Sequence, residues 1–136
     1  MKSTDYIKTD IEDMYCLQGK SFTDQRGALV KPYCEDWIEF KNRVRVNEIW
    51  FTKSKKHVIR GLHMQLGNFP AKKIVSVIKG SVLDVTIDLR PNSSTFLNIY
   101  SCKLNETNCY TLIIPEGVAH GYRVLEDDTI TMYGSN

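Results

Sequence analysis

"KKIVSVIKGSVLDVTIDLR", residues 72–90, decides the fold class. In its second half Leu83, Val85, Ile87 and Leu89 fall on one face, and Val82, Asp84, Thr86 and Asp88 on the other. A two-residue period is that of a strand. The first half is rich in β-branched residues, and Gly80-Ser81 predicts a tight turn joining two strands. Outward from this stretch the pattern repeats. "NCYTLIIPEG" (108–117) reads as a strand stopped by Pro115 and Gly117. "RVRVNEIWFTKS" (43–54), "STFLNIYSCKL" (94–104) and "DDTITMYG" (127–134) are further strands, and "CEDWIEF" (34–40) is the best candidate for a short helix. Many short strands with turn signals between them predict an all-β sandwich or barrel with at most one or two short helices. No linker or repeat divides the chain, so residues 1–136 are expected to form one domain.

Composition narrows the function classes. Hydrophobic residues make up 42% and charged residues 25% of the 136 positions, which fits a globular chain with a real core. A formal charge of +2 is too small to argue for nucleic acid or an acidic membrane surface. No apolar run approaches the roughly 20 residues of a membrane span. The N-terminal "MKSTDYIKTDIEDMYC" has no apolar core of the signal-peptide kind, so a cytoplasmic location is expected. Cys16, Cys34, Cys102 and Cys109 form no C-x-x-C pair and are expected to be free thiols packed as small apolar residues.

Polar residues on otherwise apolar strands are the candidates for chemistry. "VIRGLHMQ" (58–65) carries Arg60, His63 and Gln65, with Lys72 following, and Asp84 interrupts the alternating strand. In a regular strand Arg60 and His63 face opposite sides; a bulge at Gly61 would turn both inward. His57, beside Lys55 and Lys56, reads as an exposed loop residue, and Asp88 as a turn cap or a partner of Arg90.

"IPEGVAHGYRVL" (114–125) contains Pro115-x-Gly117-x-x-His120, which resembles the second motif of cupin barrels. His63-x-Gln65 stands where metal-binding cupins have two histidines, and Lys72 where a carboxylate would help. Two histidines among cations make a poor metal site, so neither metal nor other cofactor is expected.

The segments "FTDQRG" (22–27), "VIRGLHMQ" (58–65), "AKKIVSVIKGSVLDVTIDLRPNSSTF" (71–96) and "LIIPEGVAHGYRVLEDDTITMY" (112–133) together resemble the dTDP-4-dehydrorhamnose 3,5-epimerase family. These are nucleotide-sugar epimerases on a cupin-type jelly roll, and this chain resembles a short, C-terminally abbreviated member. The resemblance implies a 4-keto sugar nucleotide as substrate and a supply of sugars for surface polysaccharide. It implies His63 as base, Tyr133 as opposite-face proton donor and Lys72 as stabiliser of the enolate oxygen. It implies substrate contacts from Arg26, Arg60, Gln65, His120, Glu48 and Asp84. It further implies a homodimer that exchanges N-terminal strands, with Arg26 reaching the neighbour's site.

Departures from the family pattern are local. Lys31 stands where a glutamate is frequent, Met64 replaces an aromatic residue, and Glu48-Ile49-Trp50-Phe51-Thr52 replaces a Q-x-N-x-S pattern. The family's aspartate partner of the catalytic histidine has no counterpart before Asn136, so Asp84 or a partner subunit is expected to orient His63. Alternatives on the same fold are a 3-only or 5-only epimerase, a 3,4-ketoisomerase, or a non-catalytic sugar-nucleotide-binding cupin.

Overall fold

The computed structural model describes residues 6–39, 42–65 and 70–136. Among the described residues twelve strands run β1 (Tyr6–Lys8), β2 (Tyr15–Gln18), β3 (Lys20–Asp24), β4 (Gly27–Lys31), β5 (Glu48–Ser54), β6 (Ile59–His63), β7 (Lys73–Lys79), β8 (Ser81–Asp88), β9 (Ile99–Asn105), β10 (Tyr110–Ile114), β11 (Val118–Val124) and β12 (Thr129–Ser135). The six-stranded sheet has the order β1-β2-β10-β7-β12-β5 and the four-stranded sheet β6-β11-β8-β9, all neighbours antiparallel. From β5 to β8, and again from β9 to β12, the chain alternates between the sheets, as a jelly roll does. The helix expected over 34–40 is one 3-10 turn, Glu35–Trp37; Phe40 lies outside the described residues.

The core lies between the sheets. Val75 and Val77 of β7, Leu112 and Ile114 of β10, Val82 of β8 and Leu104 of β9 meet there, each 4% exposed or less. The opposite face of the large sheet is covered as well. Leu17, Ile74 and Ile113 pack against Trp37, Ile38 and Val44. Covering both faces explains why β7 reads as an almost unbroken apolar run. Full burial of each such side chain contributes about 1.5–3 kcal/mol.

Gly80-Ser81 joins two strands as expected, though the two do not pair. Gly80, at φ +79°, is the corner at which the chain leaves the large sheet for the small one. The strand expected from residue 94 begins at Ile99, because residues 91–97 are turns. Asp88 holds them, accepting hydrogen bonds from Ser93 Oγ (2.6 Å) and Thr95 Oγ1 (2.7 Å) and a two-point contact from Arg90.

On β8 the mixed polar face points inward: Val82, Asp84, Thr86 and Asp88 are buried, whereas Leu83 is exposed. The barrel is therefore lined with polar groups at one end. All four cysteines are free; Cys16 and Cys109 are buried and Cys34 and Cys102 half-buried. Among the described residues no helix is long and apolar enough to cross a membrane.

Candidate active site

β6 pairs with β11, His63 opposite His120 and Arg60 opposite Tyr122. Two residues on β6, Gly61 and Leu62, thus oppose one on β11, Gly121, which is the bulge expected at Gly61. Gly61 sits at φ +91°, and a Cβ there would lie 2.6 Å from the His120 carbonyl oxygen. Glycine is what allows that approach. The bulge brings Arg60 and His63 toward the same interior. Arg60 Nε donates to Ser54 Oγ on β5 at 3.0 Å, and the His63 ring centroid is 6.1 Å from that of His120.

His120 is held firmly. Its Nε2 is 2.6 Å from Asp84 Oδ2, and both side chains are buried. His120 Nδ1 and Asp84 Oδ1 are buried without a hydrogen-bond partner. Burial pushes the Asp84 carboxyl up, against the pull of His120. Asp84 therefore belongs to His120; the expectation that it orients His63 is not met.

His63 lines a narrow cleft together with Gln65, Lys73, Ile114, Pro115 and His120. Burial first, then the nearby charge of Lys73 and then His120, lower the His63 pKa below its usual value. Burial also lowers the pKa of Lys73. A neutral imidazole facing an ammonium can accept a proton and leave the resulting anion beside a cation.

Lys72 is not in this cleft. It lines a separate hollow with Asp13, Asn42, Arg90 and Glu116, and its backbone N–H donates to Asn136 Oδ1 at 2.9 Å. Its neighbour Lys73 lines the His63 cleft instead. Alternation along β7 carried the signal. Val75 and Val77 point into the barrel, and Lys73 has their parity.

Tyr133 lies on β12, between β7 and β5 in the large sheet, so the final strand is docked rather than frayed. The side chain is 4% exposed. Its ring stacks on Trp50 at 5.3 Å and 6°, and its centroid is 6.5 Å from that of His120. Its hydroxyl donates to Tyr122 at 2.5 Å. Burial first, with the Tyr122 contact, raises its pKa. Glu48 is exposed at the start of β5, two and four residues from Trp50 and Thr52 and on their face.

Arg26 stands apart. It is at the tip of the β3–β4 hairpin, 90% exposed, and bound to Asp24 at 2.6 Å. His57 is exposed and contacts Arg123. Among the described residues no group of three or more His, Cys, Asp or Glu side chains could hold a metal ion.

Sequence reasoning missed Lys73 and Tyr122. Tyr122 was legible as the residue two after His120 on one strand face.

The sequence profile described as dTDP-4-dehydrorhamnose 3,5-epimerase matches residues 8–136. The dTDP-4-dehydrorhamnose 3,5-epimerase of Shigella flexneri is 36% identical over 132 residues, 96% of this chain and 73% of that protein. The crystal structure of the dTDP-4-dehydrorhamnose 3,5-epimerase of Elizabethkingia anophelis superposes with a TM-score of 0.88 at 34% identity, covering 97% of this chain and 73% of that one. The Legionella pneumophila dTDP-6-deoxy-D-glucose-3,5-epimerase, solved in complex with dTDP-4-keto-L-rhamnose, gives a TM-score of 0.85 at 30% identity, covering 97% and 71%. The chain belongs to the dTDP-4-dehydrorhamnose 3,5-epimerase family.

Proposed function

We propose that this protein is a cytoplasmic, metal-independent epimerase of a nucleotide-diphosphate-linked 4-keto-6-deoxyhexose, acting at C3, C5 or both in the supply of sugars for surface polysaccharide. One observation carries the reading. A histidine whose pKa is lowered shares a cleft with a half-buried lysine and with His120, whose ring centroid is 6.5 Å from that of Tyr133. Such an arrangement suits removal of a proton beside a ketone.

In this reading His63 takes the proton from the carbon next to the C4 ketone. The electron pair moves onto the C4 oxygen, where the Lys73 ammonium stabilises it. Arg60 and His120 line the path of the sugar, and the buried, unpartnered Nδ1 of His120 is available to a sugar oxygen. Tyr133 gives its proton to the opposite face of the carbon, and the ketone re-forms. Gln65 and Glu48 sit at the rim. A protein arginine suits the diphosphate through paired hydrogen bonds. Arg26 is the candidate, supplied from a second subunit, since it extends on a hairpin whose strands are exposed except at half-buried Lys20, with Phe22 and Leu29 each 56% exposed. A homodimer covering that hairpin follows from the reading, and sedimentation of the pure protein checks it.

The test is deuterium exchange from solvent into a dTDP-4-keto-6-deoxyhexose, followed by NMR. The wild type should label C3, C5 or both. His63→Ala should lose about 10²–10⁴-fold in exchange while still binding the nucleotide sugar. Exchange by His63→Ala near the wild-type rate would remove His63 from the role of base. Binding by the wild type without exchange would leave a sugar-nucleotide-binding module.

A further inference from the structure

Three hydroxyls form a track through the barrel. The Tyr133 hydroxyl donates to that of Tyr122 at 2.5 Å, and the Tyr122 hydroxyl lies 2.8 Å from Thr52 Oγ1. The three come from three strands. Tyr133 is on β12 and Thr52 on β5, in the large sheet; Tyr122 is on β11, in the small one. Tyr122 is 2% exposed and Tyr133 4% exposed, whereas Thr52 is only partly covered, on a strand at the edge of its sheet. The track therefore leads from the buried phenol toward the solvent.

We propose that Thr52 and Tyr122 are a proton relay that recharges Tyr133 after each inversion. The inference rests on the epimerase reading. When Tyr133 protonates the carbanion, its O–H bond breaks, a C–H bond forms, and a phenolate is left in a buried place. An isolated anion there is costly unless it is neutralised or hydrogen-bonded. Bulk water does not reach a side chain so covered. Tyr122 turns its O–H toward the phenolate and passes its proton to that oxygen. Thr52 Oγ reprotonates Tyr122, and a water molecule reprotonates Thr52. The hydroxide so formed is neutralised by the proton that His63 removed from the first face and releases to solvent. The turnover is thus neutral in protons.

Packing alone would be served as well by phenylalanine at 122 and valine at 52. The hydroxyls make the arrangement specific. On β11, Tyr122 also shares the inward face of His120, whose ring centroid is 6.0 Å from its own. Tyr122 touches Tyr133 and not the reacting carbon, so it is a positioning residue.

The test compares wild type with Tyr122→Phe, Thr52→Val, Thr52→Ser and the Tyr122→Phe/Thr52→Val double variant, in D2O, on a dTDP-4-keto-6-deoxyhexose. NMR reads two rates separately: loss of the substrate C–H, and appearance of the inverted sugar. The relay requires that Tyr122→Phe slow inversion by about 10-fold to 100-fold, below the effect of a direct acid or base. C–H loss and KM should change less than about twofold. Thr52→Val should show the same split, the double variant should be no worse than the single ones, and Thr52→Ser should recover the rate that valine loses. Inversion at the wild-type rate by Tyr122→Phe or by Thr52→Val overturns the relay, as does equal loss of both rates. If Tyr122→Phe does not fold, the Thr52→Val and Thr52→Ser pair decides alone. A wild type that exchanges no deuterium overturns the epimerase reading and the relay with it; a wild type that exchanges, with unaffected variants, overturns the relay alone.

Discussion

Lys73→Met separates the two adjacent lysines by consequence. Methionine keeps the length and much of the apolar stem and removes the charge. Two effects follow from the cleft that Lys73 shares with His63. First, the enolate oxygen loses its cation. Loss of one preorganised charge-stabilising group costs about 2.7–4 kcal/mol, or 10²–10³ in kcat. Second, His63 loses one source of its lowered pKa. Burial, the larger source, remains. A neighbouring cation disfavours the protonated imidazole, so its removal should raise the His63 pKa. The sign follows from the base needing to be neutral. In the wild type the active fraction falls only as pH drops through a value below about 6.5. In Lys73→Met that acid limb should move upward. The assay is the deuterium exchange rate measured from pH 5 to 8 for wild type, Lys73→Met and Lys72→Met. Lys72 lines a different hollow, so its variant should exchange at close to the wild-type rate with an unmoved limb. Equal damage from both variants, or an acid limb that stays put in Lys73→Met, would refute the placement of Lys73 beside His63.

Gly61→Ala puts a Cβ 2.6 Å from a backbone oxygen and 3.0 Å from His63 Nδ1, at φ +91°. It should cost at least about 1–2 kcal/mol in urea unfolding and reduce exchange as well. For Asp88, burial raises the carboxyl pKa, but hydrogen bonds from Arg90, Ser93 and Thr95 outweigh it and hold the group well below the usual range. Its contribution to stability is thus present above about pH 4 and lost as pH falls further. Asp88→Ala strands those donors and should cost about 3 kcal/mol, or about 10 °C in Tm for a chain of this length by thermal circular dichroism, with the deficit shrinking toward pH 2. Incubation with a chelator should leave the exchange rate unchanged; a loss restored by zinc or iron would contradict a mechanism built on His63 and Lys73.

Much of this architecture was legible because strands write their period into the sequence. The alternation over 81–90 identified β8 and singled out Asp84. Pro115 and Gly117 marked the end of β10, and Gly61 the bulge. Periodicity assigns residues to faces but does not say which face is the interior. On β8 the polar face is inside and Leu83 is 41% exposed, the reverse of the usual alternation. Nor does periodicity distinguish a corner from a hairpin, since Gly80 serves either geometry. The Lys72–Lys73 choice turned on a single residue of register. Only Val75 and Val77, seen in the core, show that parity favours Lys73. Tyr122 escaped for a different reason: a hydroxyl network joins strands 70 and 11 residues apart, and no local pattern encodes such a meeting.

The two histidines have different surroundings, and that difference divides the labour between them. A hydrogen-bonded carboxylate fixes an imidazole ring; burial and a neighbouring cation favour the neutral form. His120 has the carboxylate, at 2.6 Å, and is buried. His63 has the cation and the open side of the cleft, and among the described residues it makes no hydrogen bond to a carboxylate. A base must be free to receive a proton and to release it to water. A positioning group must stay where it is. His63 meets the first requirement and His120 the second. Burial and the neighbouring cation favour the neutral form of His63, and the bulge and the pairing opposite His120 orient its strand. A ketone-activated proton suits such a base, because Lys73 lowers the energy of the anion it must form.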